Sequence, residues 1–226
     1  MRIKYLLFCC IVVVANILQL SAQKFANGQF TLFSFTYEIE ESVTDLLVST
    51  ASQITLNAAD DKAKVNGMMV QTMWSMICKK MQDTFKTYIL PANSFNDKVK
   101  YDEFGFPDIS IQKAIKLSDT KYYFKMLMTI ESEVYDNNGV KYLKDEFVPK
   151  VSLVFEIYDK HGYIPIRTAD GFGTALKPVV VTNDYIAGMN FAKNKITTQK
   201  IEETLWSLFN RAATEVVLEL KQNKKK

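Results

Sequence analysis

Hydrophobic positions along this chain follow two rhythms, one of period two and one of three to four residues, and their order predicts a fold of strands and helices. Gln29 to Ile39, QFTLFSFTYEI, is dense in aromatic and β-branched residues, with Leu32 alternating against Phe33 and Phe35. This predicts a first strand with at least one buried face. Ser42 to Asp45 has the spacing of a capping box, with Asp in place of Glu, and opens onto LLVSTASQITL. A helix is predicted there, weakened by Val48, Thr50, Ile54 and Thr55. Asp60-Asp61-Lys62 and Asn66-Gly67 read as a polar connection. Beyond it Val70, Met73, Trp74, Ile77, Met81, Phe85 and Tyr88 recur at helical spacing and share one face.

TYILP suits a short strand ending at Pro91 and leading into a loop. Pro107-Asp108 starts a further helix with Ile111, Ala114, Ile115 and Leu117 as its apolar face, closed by Ser118-Asp119. In KYYFKMLMTIESEVY, Phe124, Met126, Met128 and Ile130 alternate with Lys125, Leu127, Thr129 and Glu131, the pattern of a long strand. Asn138-Gly139 is a hairpin signal, and the chain returns through VKYLKDEFVPKVSLVFEIY, with Pro149 at an edge or bulge. Asp159 to Gly162 is predicted as a four-residue reversal into YIPIRTADGFGTA. Thr197 or Thr198 can cap a last helix that carries Glu202 and Glu203 in its first turn. Ile201, Leu205, Leu208, Phe209, Ala212, Ala213, Val216, Val217 and Leu220 give that helix a broad buried face.

The sum is one α+β domain over residues 23–226, a mixed or antiparallel sheet with a C-terminal meander. Two to four helices pack it, including a long C-terminal one. Residues 1–22 stand apart: two cations, an apolar run with Cys9 and Cys10 near its start, then Ser21 and Ala22. That is the layout of a secretory signal peptide, so the expectation is an exported protein, periplasmic or secreted, with no stable membrane anchor after cleavage. Its SAQ end looks like those of Bacteroidota exported proteins.

Composition narrows the function classes. At 226 residues, 48% hydrophobic and 12% aromatic, the chain is not disordered overall. Cleavage after Ala22 removes two of the 28 cations, Arg2 and Lys4, and none of the 25 acids, which leaves a charge of +1. Nothing in that balance draws nucleic acid. Lys221 and Lys224 to Lys226 read as a solvated end or a weak contact with anionic lipid. Cys78 is alone in the processed chain, so no intrachain disulfide forms, and Phe8 before Cys9 does not match a lipidation signal.

Candidate chemistry is sparse. His161, the single histidine, falls on the predicted hairpin tip, where an orienting partner and a cavity are hard to supply. Gly171 and Gly173 lack the third glycine of a dinucleotide fingerprint and the Lys-Ser/Thr of a phosphate loop; they suit a bulge or a close backbone approach. One His and one Cys do not compose an ordinary zinc site, and the acids lack calcium-loop spacing. There is no G-x-S-x-G. A hydrolase would rest on carboxylates alone, and a pair such as Asp102 and Glu103 reads rather as a solvated loop. The expectation is no enzyme, no metal and no cofactor.

The order of ISIQKAIKLSDT, KYYFKMLMTIES, VSLVFEIYDKHG, YIPIRTADGFGTA and IEETLWSLFNRAATEVVLEL is similar to bacterial periplasmic domains of an anticodon-binding-like α/β fold. These include curli-secretion channel subunits, lipoprotein activators of penicillin-binding proteins and the N-terminal domain of the Tol-system propeller protein. The resemblance spans roughly residues 107–220. It implies a non-enzymatic protein that binds an envelope protein partner, and it lends no catalytic residue. The missing lipid-attachment motif departs from the first two groups. Candidate contact residues are Tyr163, Arg167 and Phe172, because aromatics and Arg dominate interface energetics. An alternative is a carrier of a small apolar ligand or lipid, with Met69, Met73, Trp74, Met126 and Met128 lining a cavity between helix and sheet.

Overall fold

The computed structural model describes residues 24–52, 58–133, 146–175, 179–180 and 205–222. Its elements are β1 (Gln29–Ile39), α1 (Glu41–Ser52), α2 (Ala58–Phe85), β2 (Tyr88–Ile89), α3 (Ile111–Leu117), β3 (Tyr122–Glu133), β4 (Glu146–Asp159), β5 (Arg167–Thr174), β6 (Val179–Val180) and α4 (Leu205–Lys221). The strands form one sheet in the order β2-β1-β3-β4-β5, with β6 on β4. β1 runs parallel to β2 and β3, whereas β3, β4 and β5 are the predicted antiparallel meander. This is the single α+β domain expected from the sequence, with a mixed sheet and four helices.

Alternation builds two cores. Phe124, Met126, Met128 and Ile130 of β3 and Val151, Leu153, Phe155 and Ile157 of β4 point to one face and are buried under α2 and α4. Phe124 lies between Trp74, stacked at 6.0 Å, and Phe155, at 5.0 Å. Each such ring pair adds roughly 1 kcal/mol beyond the area it buries. On the opposite face Phe33, Tyr123 and Tyr158 form a smaller core with Ala114 of α3 and Phe95.

β1 serves both cores because its register shifts between Leu32 and Ser34. Before the bulge Phe30 and Leu32 face the main core; after it Phe35 does. Phe33 is thereby turned to the small core, where it meets Tyr158 at a ring distance of 5.3 Å. The alternation of Leu32 with Phe33 and Phe35 marks this bulge, since a regular strand would place Phe33 and Phe35 on one face.

Helix α2 passes straight through Asp60–Lys62 and Asn66–Gly67, where the sequence predicted a connection. Polar residues here belong to a helix face and to contacts with α1. Lys62 reaches Glu41 at 3.0 Å and Asp45 at 2.5 Å, and the Asn66 side-chain oxygen accepts from Thr44 Oγ at 2.9 Å. Gly67 makes room for Phe104, whose ring lies 3.0 Å from where a β-carbon would stand. Tyr88 leaves the predicted helix stripe, because α2 ends at Phe85 and Tyr88 opens β2.

Other boundaries move for local reasons. Ser42 does not cap α1: its hydroxyl donates to Glu40 Oε1, and Val43 and Thr44 donate to the Glu40 carbonyl. α3 starts at Ile111 behind Ser110, because Pro107–Ile109 instead lines the edge of β1, with Phe35 N–H on Pro107 O and Ile109 N–H on Phe33 O, both at 3.0 Å. Pro149 lies within β4, opposite Ser132 on β3, and its carbonyl receives Ala175 N–H just beyond the end of β5. The β4–β5 reversal spans residues 160–166, longer than predicted. The signal segment, the Asn138-Gly139 turn, the Thr197 or Thr198 cap, Glu202, Glu203, Ile201 and the terminal lysines Lys224 to Lys226 lie outside the described residues.

Candidate contact surfaces

The G-x-G of β5 resolves into a packing device. Ala169, Gly171, Gly173 and Ala175 face α4, while Asp170 and Phe172 point the other way. A β-carbon on Gly171 would come within 2.0 Å of Ala212 O, and one on Gly173 within 2.2 Å of Leu208 O. Strand and helix therefore touch backbone to backbone, which side chains at these positions would prevent.

Once α4 is that close, its polar side chains reach around the strand. Glu219 accepts from Asp170 N–H at 2.9 Å and Glu215 from Phe172 N–H at 2.8 Å, so carboxylates one helical turn apart occupy the outward donors of an edge strand. Arg211 donates to Thr174 O at 3.2 Å. An edge so occupied does not template another strand.

The three sequence candidates separate. Arg167 donates to the carbonyls of Glu219, at 2.7 Å, and of Gln222, so its cation closes the C-terminus of α4. Tyr163 is 62% exposed on the hairpin tip. Phe172 is 51% exposed five residues along β5 from Arg167, opposite Ser152. Tyr163 and Phe172 thus sit at different ends of one strand, about 17 Å of strand apart or more. Around Phe172 the sheet face carries Leu127, Val154 and Ser152, all half-buried, and the Lys125–Glu156 cross-strand pair. Among the described residues no helix lies over this part of the face.

The five side chains expected to line a carrier cavity are core. Met69, Met73, Met126 and Met128 are at most 1% exposed, and Trp74 packs on Phe106 and Phe124. The open groove, of about 620 Å³, lies on the other flank of α2, against α4. Met68, Met76 and Trp206 give it apolar walls, with Lys79, Lys80 and Asp83 at one end. Burial holds Lys80 below the ordinary lysine range; Asp83 opposes this and Lys79 adds to it. The period-four residues Met68, Thr72 and Met76, beside the core stripe, were the sequence signal for this groove.

The remaining candidates have structural employment. His161 N–H donates to Asp159 Oδ1 at 2.9 Å, the local bond of an Asp-led turn, and the residue is exposed. Asp102 Oδ1 receives Phe104 N–H at 2.9 Å and Phe106 N–H at 2.8 Å, so it folds its own loop. Burial pushes the Cys78 thiol up, away from the reactive thiolate. Among the described residues no three His, Cys, Asp or Glu side chains gather as a metal set, and no helix is long and apolar enough to cross a membrane.

No protein-family model matches the chain, and no curated protein does. Solved structures similar to it include the LpoB C-terminal domain from Salmonella enterica, at 10% identity and TM-score 0.32, covering 65% of this chain and 82% of that one. The PelC dodecamer from Paraburkholderia phytofirmans is similar at 10% identity and TM-score 0.37, covering 86% and 89%. Lipoprotein GNA1162 from Neisseria meningitidis is similar at 8% identity and TM-score 0.35, covering 73% and 94%. All three similarities are distant, at 8–10% identity.

Proposed function

We propose that this chain is an exported, non-enzymatic module that acts in assembly or maintenance of the bacterial cell envelope by contact with another protein, akin to the curli-secretion, penicillin-binding-protein-activator and Tol domains it resembles. The supporting observation is Phe172. Its neighbours Gly171 and Gly173 are pressed under α4 and its own N–H is held by Glu215, so a half-exposed aromatic stands on a strand that cannot shift. An anchor fixed before binding loses little freedom on docking, which is what gives an interface its central contact. The layout of residues 1–22 supports export.

The test places a photo-reactive phenylalanine analogue at position 172, and for comparison at exposed Gln82 on α2, with irradiation of the producing cells. One reproducible protein adduct from position 172, absent from 82, is expected. No adduct, or the same adducts at both positions, rejects the reading. The α2–α4 groove favours a second reading, a carrier of a small apolar ligand with an anionic head toward Lys79 and Lys80. Native mass spectrometry distinguishes the two, because a carrier leaves its cells with a small-molecule adduct that Met76→Arg abolishes.

A further inference from the structure

The strands carry opposite charge at their two ends. One end of the sheet is marked by Gln29 opposite Tyr88, Phe30 opposite Tyr122, Tyr122 opposite Asp159 and, two residues further in along β4, Ile157 opposite Arg167. Exposed Lys24, Lys86, Lys121 and Lys160 flank it. The acids beside them are partly engaged: Asp119 lies 3.7 Å from Lys160, and Asp159 holds His161 N–H. Among the described residues, the far end of β1 and β3, about 33 Å away along the strands, carries exposed Glu38, Glu40, Glu41, Asp45 and Glu131, with Lys62 and Lys150 as cations paired to three of them.

Apolar exposure gathers at the basic end. Tyr88 is 60% exposed, Tyr163 62% and Ile164 79%, three of the five large hydrophobic residues most open to solvent among the described residues. Tyr88 is on one edge strand and Tyr163 in the reversal that joins β4 to the other, so they stand roughly three to four strand spacings, about 14–19 Å, apart. Both ends of the last described segments are held near here: the Lys24 carbonyl by the Tyr122 hydroxyl at 2.7 Å, and the Gln222 carbonyl by Arg167.

We propose that this end is a docking face for an anionic phospholipid surface. Lysines alone describe many solvated faces, but lysines interleaved with an exposed Tyr-Ile tip and an edge Tyr match the two terms of interfacial binding: attraction to anionic headgroups and burial of aromatic and aliphatic groups at their level. The acidic far end turns the molecule so that the basic end approaches first. Phe172 and the open sheet face then remain directed away from the lipid.

The experiment is flotation of the full chain with vesicles of phosphatidylglycerol and phosphatidylethanolamine in equal parts, against phosphatidylcholine alone. Insertion of the apolar segment 1–22 contributes to both, so the readout is the ratio between them. At least tenfold preference for the anionic vesicles is expected, falling severalfold in salt. Lys86→Glu with Lys160→Glu should bring the ratio near unity, Tyr163→Ser with Ile164→Ser should lower it severalfold, and Glu38→Lys with Glu131→Lys should not lower it. All of these side chains are exposed, and an unchanged melting temperature verifies each fold. Equal binding to both vesicles, or a preference that survives the Lys86 and Lys160 reversals, overturns the proposal. So does capture of a vesicle-free protein through Tyr163 and Ile164.

Discussion

The carbonyl oxygen of Ala212 lies 2.0 Å from where a β-carbon on Gly171 would stand, so α4 and β5 meet without a side chain between them. Gly171→Ala forces the helix away from the strand, and with it the caps and core residues that α4 carries. The expected cost is about 3 kcal/mol, at the upper end for overpacking because the obstacle is backbone. Phe172→Ala, next door but half-exposed, should cost under about 1 kcal/mol. Urea midpoints of the two variants decide the matter; similar values would show that the helix yields freely.

Glu215→Ala and Glu219→Ala each remove a charged acceptor from an edge N–H, at an expected cost of about 1.5–3 kcal/mol. The double variant also bares the β5 edge, so it should form higher-mass species in light scattering at concentrations where the parent does not. Glu215→Gln, which keeps an acceptor oxygen, should recover most of the loss. A double variant that stays at parental mass would mean that the edge needs no cover.

Arg167→Ala should reduce stability by about 2 kcal/mol, through carbonyls at the C-terminus of α4 left without their charged donor. It should leave adduct formation at position 172 intact when measured well below the melting temperature. Loss of the adduct without loss of stability would return Arg167 to the interface.

Alkaline pH should destabilise the fold. Burial pushes the Cys78 thiol up, and burial, with Asp102 beside Tyr37 and Glu156 beside Tyr158, pushes both phenols up. Each group holds its proton more tightly folded than unfolded. The stability this contributes is complete below the unfolded-state values, 9.0 for the thiol and 10.0 for the phenols, and is lost as pH rises beyond them. The melting temperature should therefore decline from near pH 9, and in Cys78→Ala the onset should move up by about one pH unit. A flat profile through that window would mean these groups titrate as if exposed.

The elements with one uninterrupted rhythm were legible from sequence. β3 and the apolar face of α4 bury the residues their periodicity designates, because burial on one side of a regular element is a local property of the pattern, whereas the bulge in β1 sends Phe33 and Phe35 to opposite faces. What escaped was decided by contacts across the chain. Asn66-Gly67 has turn chemistry, yet the Thr44 hydroxyl and the Phe104 ring employ those two residues inside a helix. Pro107-Asp108 looks like a helix start until the β1 edge claims it: Ser34 Oγ donates to Asp108 Oδ1 at 2.8 Å.

Candidate sites followed the same division. The glycine pair was readable as a close approach, but not what approached. Arg167 looked like an interface residue because nothing near it in sequence discloses that the last turn of α4 is its partner, 52 positions away. The methionines at 69, 73, 126 and 128 fill the core, and only the packing of α2 against α4 could show that the neighbouring row, Met68 and Met76, is the one left open.

The parallel pairing of β1 with β3 has a consequence for the order in which the molecule is made. Tyr122, at the start of β3, bonds back to Lys24 across 98 residues, and Thr31 meets Ser118 across 87. Synthesis begins at the N-terminus, so β1 emerges first, yet the strand it pairs with along its length arrives only after α1, α2 and α3. The meander can zip through short connections as it appears, while β1 waits with its aromatic residues unpaired. Slow release of the growing chain, or a holding chaperone at that stage, would matter more to the yield of this protein than anything done to its finished surface.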